Sequence, residues 1–490
     1  MDVITNPLNT RAPTNHALVN EERISVTSAV APDRSDVLEK GTAHDDSSAG
    51  ATQRLAQWVA AVDNASISES AYQWATHATL DWLSVTVAGA AEPLVRMLAL
   101  EYGSPAANAS AVLRDARRDG VLQAALINGS AGHALDFDDV AARMNGHPSV
   151  PVLPAVLALA QVREVSGRDF LRAVVVGHEI ESRIGEVLGA SHYARGFHAT
   201  GTIGTFGAAA AAASLLGLDA ERSAHALGLA AAQAAGLKSM FGTMAKPLHA
   251  GKAAMNGLMA AQLAARGFTA DTEAIEGFQG FAWTQADDAA AIAAVRTDGG
   301  FAIEQTLFKY HAACYLTHAT IEAIRELRRL HAIDLDALES LEIFVPPGHL
   351  SVCDIPDPRT GLNLKFSIRQ LALLALDGFD SAALNLYTDE AALNPRATSA
   401  RIRVRVTPSD RVQPYAAAVT LKTRDGRTLT AASDVGVPST DPAAQWSRLC
   451  EKARAITAPS LGMSGSDRLV AWVEGLANSP TVNSLMDILE

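Results

Sequence analysis

Between Ala134 and Ser149 the chain places three carboxylates and a histidine in one short passage: Asp136, Asp138 and Asp139, then Gly146-His147-Pro148-Ser149. Asp138 and Asp139 are adjacent and cannot face the same way in regular structure, whereas Asp136 and Asp138 share one side of an extended backbone. Pro148 disfavours helix at His147 and can itself open one. The passage reads as a non-helical loop that delivers His147 to a helix N-terminus, where anions are stabilised. Carboxylates that tune an imidazole beside such a helix end are the parts of a proton-transfer site for an acidic substrate. An Asp-rich capping loop around a structural histidine is the competing reading, and spacing alone does not separate the two.

Lys246-Pro247-Leu248-His249-Ala250-Gly251-Lys252 is a second candidate, with Pro247 and Gly251 bracketing a turn before an Ala- and Gly-rich helix. Cations at a helix start gain nothing from its dipole, so Lys246, His249 and Lys252 there suit an anionic ligand; a solvated basic turn is the plainer alternative. His198 stands at the mouth of an alanine-rich helix that Thr200 is expected to cap, although a satisfied core histidine is the commoner state of one such residue. Lys309 lies among apolar residues, as a snorkelling or a site lysine. Cys314 has no fixed-spacing partner and reads as a packing residue. Cys314, Cys353 and Cys450 are far apart, and His192 and His198 lack a metal-ligand spacing, so no metal site, iron–sulfur site or disulfide framework is expected. A dinucleotide fingerprint, a Gly-x-Ser-x-Gly elbow and a His-Glu-x-x-His zinc motif are all missing, which leaves a dehydrogenase or hydrolase without support.

The elements that must position these residues are mostly helices. Apolar residues recur at helical spacing over Gln53–Val62, Ser70–Ala88, Val121–Leu135, Pro148–Val165, Gly167–Leu188, Thr200–Leu216, Ala220–Leu237 and Gly251–Arg266. Many are apolar nearly all round, so helix packs on helix. Asp115–Asp119 reads as a charged turn. The pattern changes near residue 305: Ser340–Val345, Ala400–Val406, Ala417–Lys422 and Thr428–Ala432 alternate like strands, with Asp425-Gly426 as a hairpin turn. Helices are interleaved at Leu316–Leu330 and Phe366–Ala375, and the chain returns to helix at Pro442–Thr457 and Gly465–Ala477. The expected fold class is mainly α: a large all-helical domain plus a smaller α+β domain. The expected divisions are a flexible leader (1–51), the first part of the helical domain (52–304), the α+β domain (305–440) and a returning helical part (441–490).

A formal net charge of −13 repels nucleic acid and anionic membranes, so neither is an expected partner. No apolar core follows Met1, and Asp33, Asp36, Glu39, Asp45 and Asp46 argue against a mitochondrial transit peptide. Unpaired cysteines then make a reducing cytoplasm the simplest compartment. Ala199–Leu218 is uncharged over about the length of a membrane span, but its Ala, Gly, Ser and Thr content reads as a buried core helix.

Taken in order, several segments resemble the MmgE/PrpD family. They are Asn128-Gly129 with His133-Ala134-Leu135-Asp136-Phe137-Asp138-Asp139; Gly146-His147-Pro148-Ser149; Gly177-His178-Glu179 with Arg183; Gly196-Phe197-His198 with Gly201-Thr202; Lys246-Pro247-Leu248-His249-Ala250-Gly251; Lys309; and Lys365-Phe366-Ser367. The resemblance implies a helical domain with an α+β lid, a homodimer, and neither metal nor organic cofactor. Asp136, His147, His198, Lys246 and Lys309 fall on positions used by the family's decarboxylases, in a cleft between domain and lid. Val140 departs from the threonine those members often carry, and Ile355-Pro356-Asp357-Pro358-Arg359 lacks a tyrosine that some have.

On this resemblance His147 is the leading acid/base, oriented by Asp136, with His198 the second acid/base or a carboxylate donor. Lys246 and Lys309 clamp substrate carboxylates, and His249 joins them in substrate binding. The expected function is a cofactor-independent lyase on a small di- or tricarboxylate, decarboxylating a cis-aconitate-like acid. Dehydration of a 2-methylcitrate-like hydroxy acid, epimerisation of an acidic imine, and a non-catalytic acid-binding protein are the alternatives.

Overall fold

The computed structural model describes residues 49–103, 110–113 and 117–489. The expected leader falls outside them up to residue 48. Ala49–Ala51 belong instead to the body: the Ala49 carbonyl accepts from Arg54, and Ala51 is buried at the start of the first helix. From Ala49 onward the chain forms a single compact unit.

The helical body comprises α1 (Ala51–Ala61), α2 (Glu69–Gly89), α3 (Pro93–Tyr102), a hairpin of β1 (Ser110–Val112) and β2 (Arg117–Asp119), α4 (Val121–Ala134), α5 (Ser149–Gln161), α6 (Gly167–Ala194), α7 (Ala199–Leu216), α8 (Ala220–Ala231), α9 (Ala245–Ala265) and the short α10 (Phe281–Gln285). Ser68, Ser166 and Asp219 cap α2, α6 and α8 through their side-chain oxygens, each satisfying an N–H that the first turn leaves unpaired. Where a charged turn was expected, Arg117–Asp119 pairs with Ser110–Val112 as an antiparallel hairpin; Asp115 lies outside the described residues.

Helix α7 explains how so many helices crowd together. It carries six successive alanines, Ala208–Ala213, and these small side chains let α5, α6, α8 and α9 pack around it. It is long and apolar enough to cross a membrane, yet 89% of that stretch is buried inside the fold, as a core helix requires. Glycine has the same effect between α4 and α9: a Cβ on Gly129 would lie 2.8 Å from the Gly251 Cα. Gly251 therefore sits inside α9 rather than in a turn before it, and the helix opens at Ala245, taking Lys246 and His249 into its first turns.

The smaller α+β lobe contains α11 (His318–His331), β3 (Leu338–Val345), α12 (Gly361–Leu364), α13 (Ile368–Leu376), α14 (Asp389–Ala392), α15 (Pro395–Ala400), β4 (Val404–Pro408), β5 (Ala416–Thr423) and β6 (Thr428–Asp434). Its sheet has the order β4-β3-β5-β6, with β3 and β4 parallel and the other pairs antiparallel. Lys422 pairs with Thr428 across the expected Asp425-Gly426 turn, where Gly426 takes φ +88°. The strand expected from Ala400 starts only at Val404, because Asn394 caps a helix that Pro395 opens. The lobe has its own apolar core, running from Ala313 to Leu429. Finally α16 (Pro442–Glu474), broken at Gly462 (φ +69°) where two helices were expected, returns to α2, and α17 (Met486–Leu489) follows.

Candidate active site

The loop after α4 is where the helical pattern stops and the chemistry begins. Asp136 adopts φ +53°, a left-handed conformation that side chains other than glycine, asparagine and aspartate rarely take. The backbone is therefore not extended there, and Asp136 and Asp138 reach His147 from opposite edges of its ring. Nδ1 lies 2.8 Å from the Asp139 carbonyl and 3.2 Å from Asp138 Oδ2, while Nε2 lies 3.8 Å from Asp136 Oδ1. A carbonyl only accepts, so Nδ1 carries the proton of the neutral ring and Nε2 is left to exchange one. The orienting contacts thus come from Asp138 and the Asp139 carbonyl, not from Asp136. Thr200 does not cap α7, whose N-cap is His198; its Oγ1 accepts the His147 backbone N–H at 3.0 Å and fixes that residue from across the site.

Asp136 belongs to the lysines. Lys246 Nζ lies 2.6 Å from its Oδ1, and Lys309 Nζ lies 3.1 Å from the same oxygen and 2.8 Å from the Asp136 carbonyl. Burial works against the charge on Asp136, but Lys246 and Lys309 outweigh it and hold the carboxyl well below the usual carboxylate range. Two ammonium groups share one carboxylate oxygen, and burial is likewise outweighed at Asp138, where His133 and His147 hold the carboxyl well below the usual range, so the array contains two lysines and two ionised aspartates.

The remaining imidazoles are kept neutral. Burial, then His133 and Lys246, push His198 well below the usual histidine range. Its Nδ1 lies 3.1 Å from Nδ1 of His249, and Gly201 permits that meeting: a Cβ there would come within 2.9 Å of the His249 Cβ. His133 hydrogen-bonds Asp138 through Nδ1 at 2.8 Å, and its ring stands 4.6 Å from that of His147 and 5.7 Å from that of His198. Burial lowers His133 to about 4. Behind the loop, Asp139 accepts from the Ser149 hydroxyl at 2.5 Å; burial and the neighbouring Asp81 raise it well above the usual range, so it is protonated.

A cavity of about 630 Å³ opens between the helical body and the lobe. Asp136, His147, His198, Lys246 and Lys309 all line it, together with Tyr193, Phe241, Tyr315, Phe366 and Tyr415. The expected residues therefore converge, with one exception: His249 backs His198 and is not part of the lining. Cys314, expected as a packing residue, also lines the cavity, and the neighbouring Cys353 donates its thiol to the His349 carbonyl at 3.4 Å. Asp138 and His133 complete the acid/base array without having been singled out as site residues. Asp138 stands beside Asp136 in the carboxylate cluster, but its two imidazole partners become visible only in the fold.

No metal-spaced group was expected, yet His133, Asp136, Asp138 and His147 each present a donor atom within 4.8 Å of the others. A carboxylate-rich set of this kind suits a cation, but Asp136 is already paired with two ammonium groups. Asp138 is likewise engaged by two imidazoles. A divalent ion would have to displace those bonds and face Lys246 and Lys309 at short range.

A helical body thus meets a small α+β lobe at a cleft lined by lysines, histidines and the ionised Asp136. The MmgE/PrpD N-terminal domain matches residues 53–292 and the MmgE/PrpD C-terminal domain residues 311–477, so the chain belongs to the MmgE/PrpD family. It is 35% identical over 228 residues to the cis-aconitate decarboxylase-like protein oryM of Aspergillus oryzae, covering 44% of this chain and 47% of that protein. It is 33% identical over 213 residues to the cis-aconitate decarboxylase of Homo sapiens, covering 42% and 44%. Against the cis-aconitate decarboxylase of Aspergillus terreus the identity is 27% over 374 residues, covering 71% and 75%. The matched stretch is thus less than half the length of the first two relatives.

Proposed function

We propose that this protein is a cofactor-independent lyase that decarboxylates a cis-aconitate-like tricarboxylate. The observation that carries the reading is the pairing of Lys246 and Lys309 on Asp136 directly beside His147 Nε2, inside one cavity. The names of the relatives support the choice of acid. Substrate carboxylates are held by Lys246 and Lys309, which they share with Asp136. The bond to the departing carboxylate breaks and its electron pair forms a new double bond to the neighbouring carbon; the substrate's original double bond opens as this happens, and its far carbon takes up one proton. His147 Nε2 is placed to deliver that proton, while Nδ1 stays anchored on Asp139 and Asp138. The lysines stabilise negative charge as it spreads onto the remaining carboxylates. His198, neutral and facing the same cavity, is a carboxylate donor through a ring nitrogen, with His249 setting its tautomer.

Dehydration and epimerisation would use the same residues, and the product distinguishes them. The test is incubation with cis-aconitate, 2-methylcitrate and related polycarboxylates, read by mass spectrometry for loss of 44 mass units, about one carbon dioxide, or of one water. Carbon dioxide release is expected. Water loss, or solvent deuterium entry without net change, would replace decarboxylation by dehydration or epimerisation, and binding with none of these would leave an acid-binding protein.

A further inference from the structure

The loop that carries Asp136 is gripped at three consecutive carbonyls by three buried lysines from distant parts of the chain. Lys365 Nζ donates to the Leu135 carbonyl at 2.5 Å, Lys309 to that of Asp136 at 2.8 Å, and Lys452 to that of Phe137 at 2.7 Å. Lys309 lies at the entry to the lobe, Lys365 inside the lobe just ahead of α13, and Lys452 on α16. Only Lys309 faces the cavity. Lys452 also binds Asp81 of α2 at 2.6 Å and lies 3.9 Å from the Phe137 ring centre. Lys365 makes no ion pair among the described residues; it lies 5.3 Å from the Tyr387 ring centre.

Stability does not explain this arrangement. A buried ammonium is costly, and apolar residues of similar volume are commonly at least as stable in such places. What the three bonds do is geometric. They hold Leu135, Asp136 and Phe137 in a sharp bend with Asp136 at φ +53°, a left-handed conformation that aspartate tolerates and that the three bonds fix in place. That bend turns the Asp136 carboxylate toward Lys246 and Lys309, and it sets the next residue, Asp138, between His133 and His147.

We propose that Lys365 and Lys452 are positioning residues for the reaction: by holding the Leu135 and Phe137 carbonyls they fix the Asp136–Asp138 bend that aligns both the lysine clamp and His147. The proposal rests on the acid/base reading of the site. It also makes the returning helix α16 part of the active centre, although none of its residues lines the cavity.

The alternative is that Lys452 merely neutralises buried Asp81. The double variant Asp81→Asn/Lys452→Met separates the two, because it removes both charges together. Positioning predicts that the double variant keeps the melting temperature of the parent but loses turnover, on the order of 100-fold for a displacement near 1 Å. Lys365→Met, which strands no carboxylate, should show the same split, and Lys365→Arg should recover part of the loss. A double variant that matches the parent in both melting temperature and turnover overturns the role of Lys452; a Lys365→Met protein that does so overturns that of Lys365. A double variant that fails to fold leaves Lys365→Met to decide. Should the parent protein turn over none of the polycarboxylates, the functional reading fails. The positioning claim is then read by nuclear magnetic resonance of ring-labelled histidines in the full chain. A His147 ring signal that shifts in both variants supports it, and one that stays in place refutes it.

Discussion

Asp136 and Asp139 lie three residues apart in one loop, both buried, and they have opposite fates. Asp136 faces the cleft and meets two ammonium groups, so it stays ionised far below the usual range. Asp139 faces the body, where Ser149 is its polar neighbour and Asp81 adds a like charge, so it holds its proton. Glu181, deeper in the same wall, is raised chiefly by burial. The difference shows that the loop separates two environments. Its front is built around charge, and its back keeps an acid charged only where a lysine meets it, as Lys452 meets Asp81.

Replacing a front residue that handles protons should have the largest effect. His147→Ala should lower turnover on the identified substrate by about 100- to 10,000-fold while the protein stays folded. Near-normal turnover would return the loop to a structural role. The comparison itself is tested by two matched substitutions. Asp136→Asn strands two buried ammonium groups and should cost roughly 3–5 kcal/mol of stability along with activity. Asp139→Asn replaces a neutral acid by a neutral amide of the same shape and should change stability by about 1 kcal/mol or less. Equal losses in the two denaturant titrations would erase the distinction between front and back.

Acid should act on the buried histidines on both sides of the loop. Burial holds His178 at about 3, and His77, His133 and His192 at about 4, with His198 and His318 also depressed. They stay neutral in the folded chain while the unfolded chain takes up protons near pH 6.5. Each therefore removes up to about 1.4 kcal/mol per pH unit as the pH falls below about 6.5 toward its folded value. Asp81, Asp139 and Glu181, raised by burial, favour the folded state as the pH falls toward about 4, but they are outnumbered. The melting temperature should fall between pH 6.5 and pH 4.5, and a flat or rising profile would show that these histidines are solvated. The smallest effect is expected from chelation. With Asp136 held by two lysines, exhaustive EDTA treatment should leave turnover unchanged; loss restored by a divalent ion would make the His133–Asp136–Asp138–His147 group a metal site.

Much of this was legible in the residues. The helical body, the hairpin turn at Asp425-Gly426 and the convergence of Asp136, His147, His198, Lys246 and Lys309 follow from periodicity, turn chemistry and an ordered set of short motifs. What was missed depends on partners remote in sequence. Asp138 looked like one more acid of a cluster until the fold set two imidazoles on it. Thr200 had the local look of a helix cap, but the Gly146–His147 backbone comes close enough to use its hydroxyl instead. Lys246 and His249 looked like a turn because Pro247 and Gly251 punctuate them. Proline fits the first turn of a helix, and glycine serves there to bring α9 against α4. Lys452 gave no local sign at all: its partner carbonyl lies 315 residues earlier.

That separation also has a consequence in time. A ribosome adds about 5–20 residues per second, so the 315 residues between Phe137 and Lys452 take roughly 16–63 s to make. During that interval the nascent helical body holds Asp81 without its cation and the 135–137 bend without its last donor. The half-made chain therefore lacks two contacts of the finished fold, the Lys452 bonds to Asp81 and to the Phe137 carbonyl, until α16 has been made.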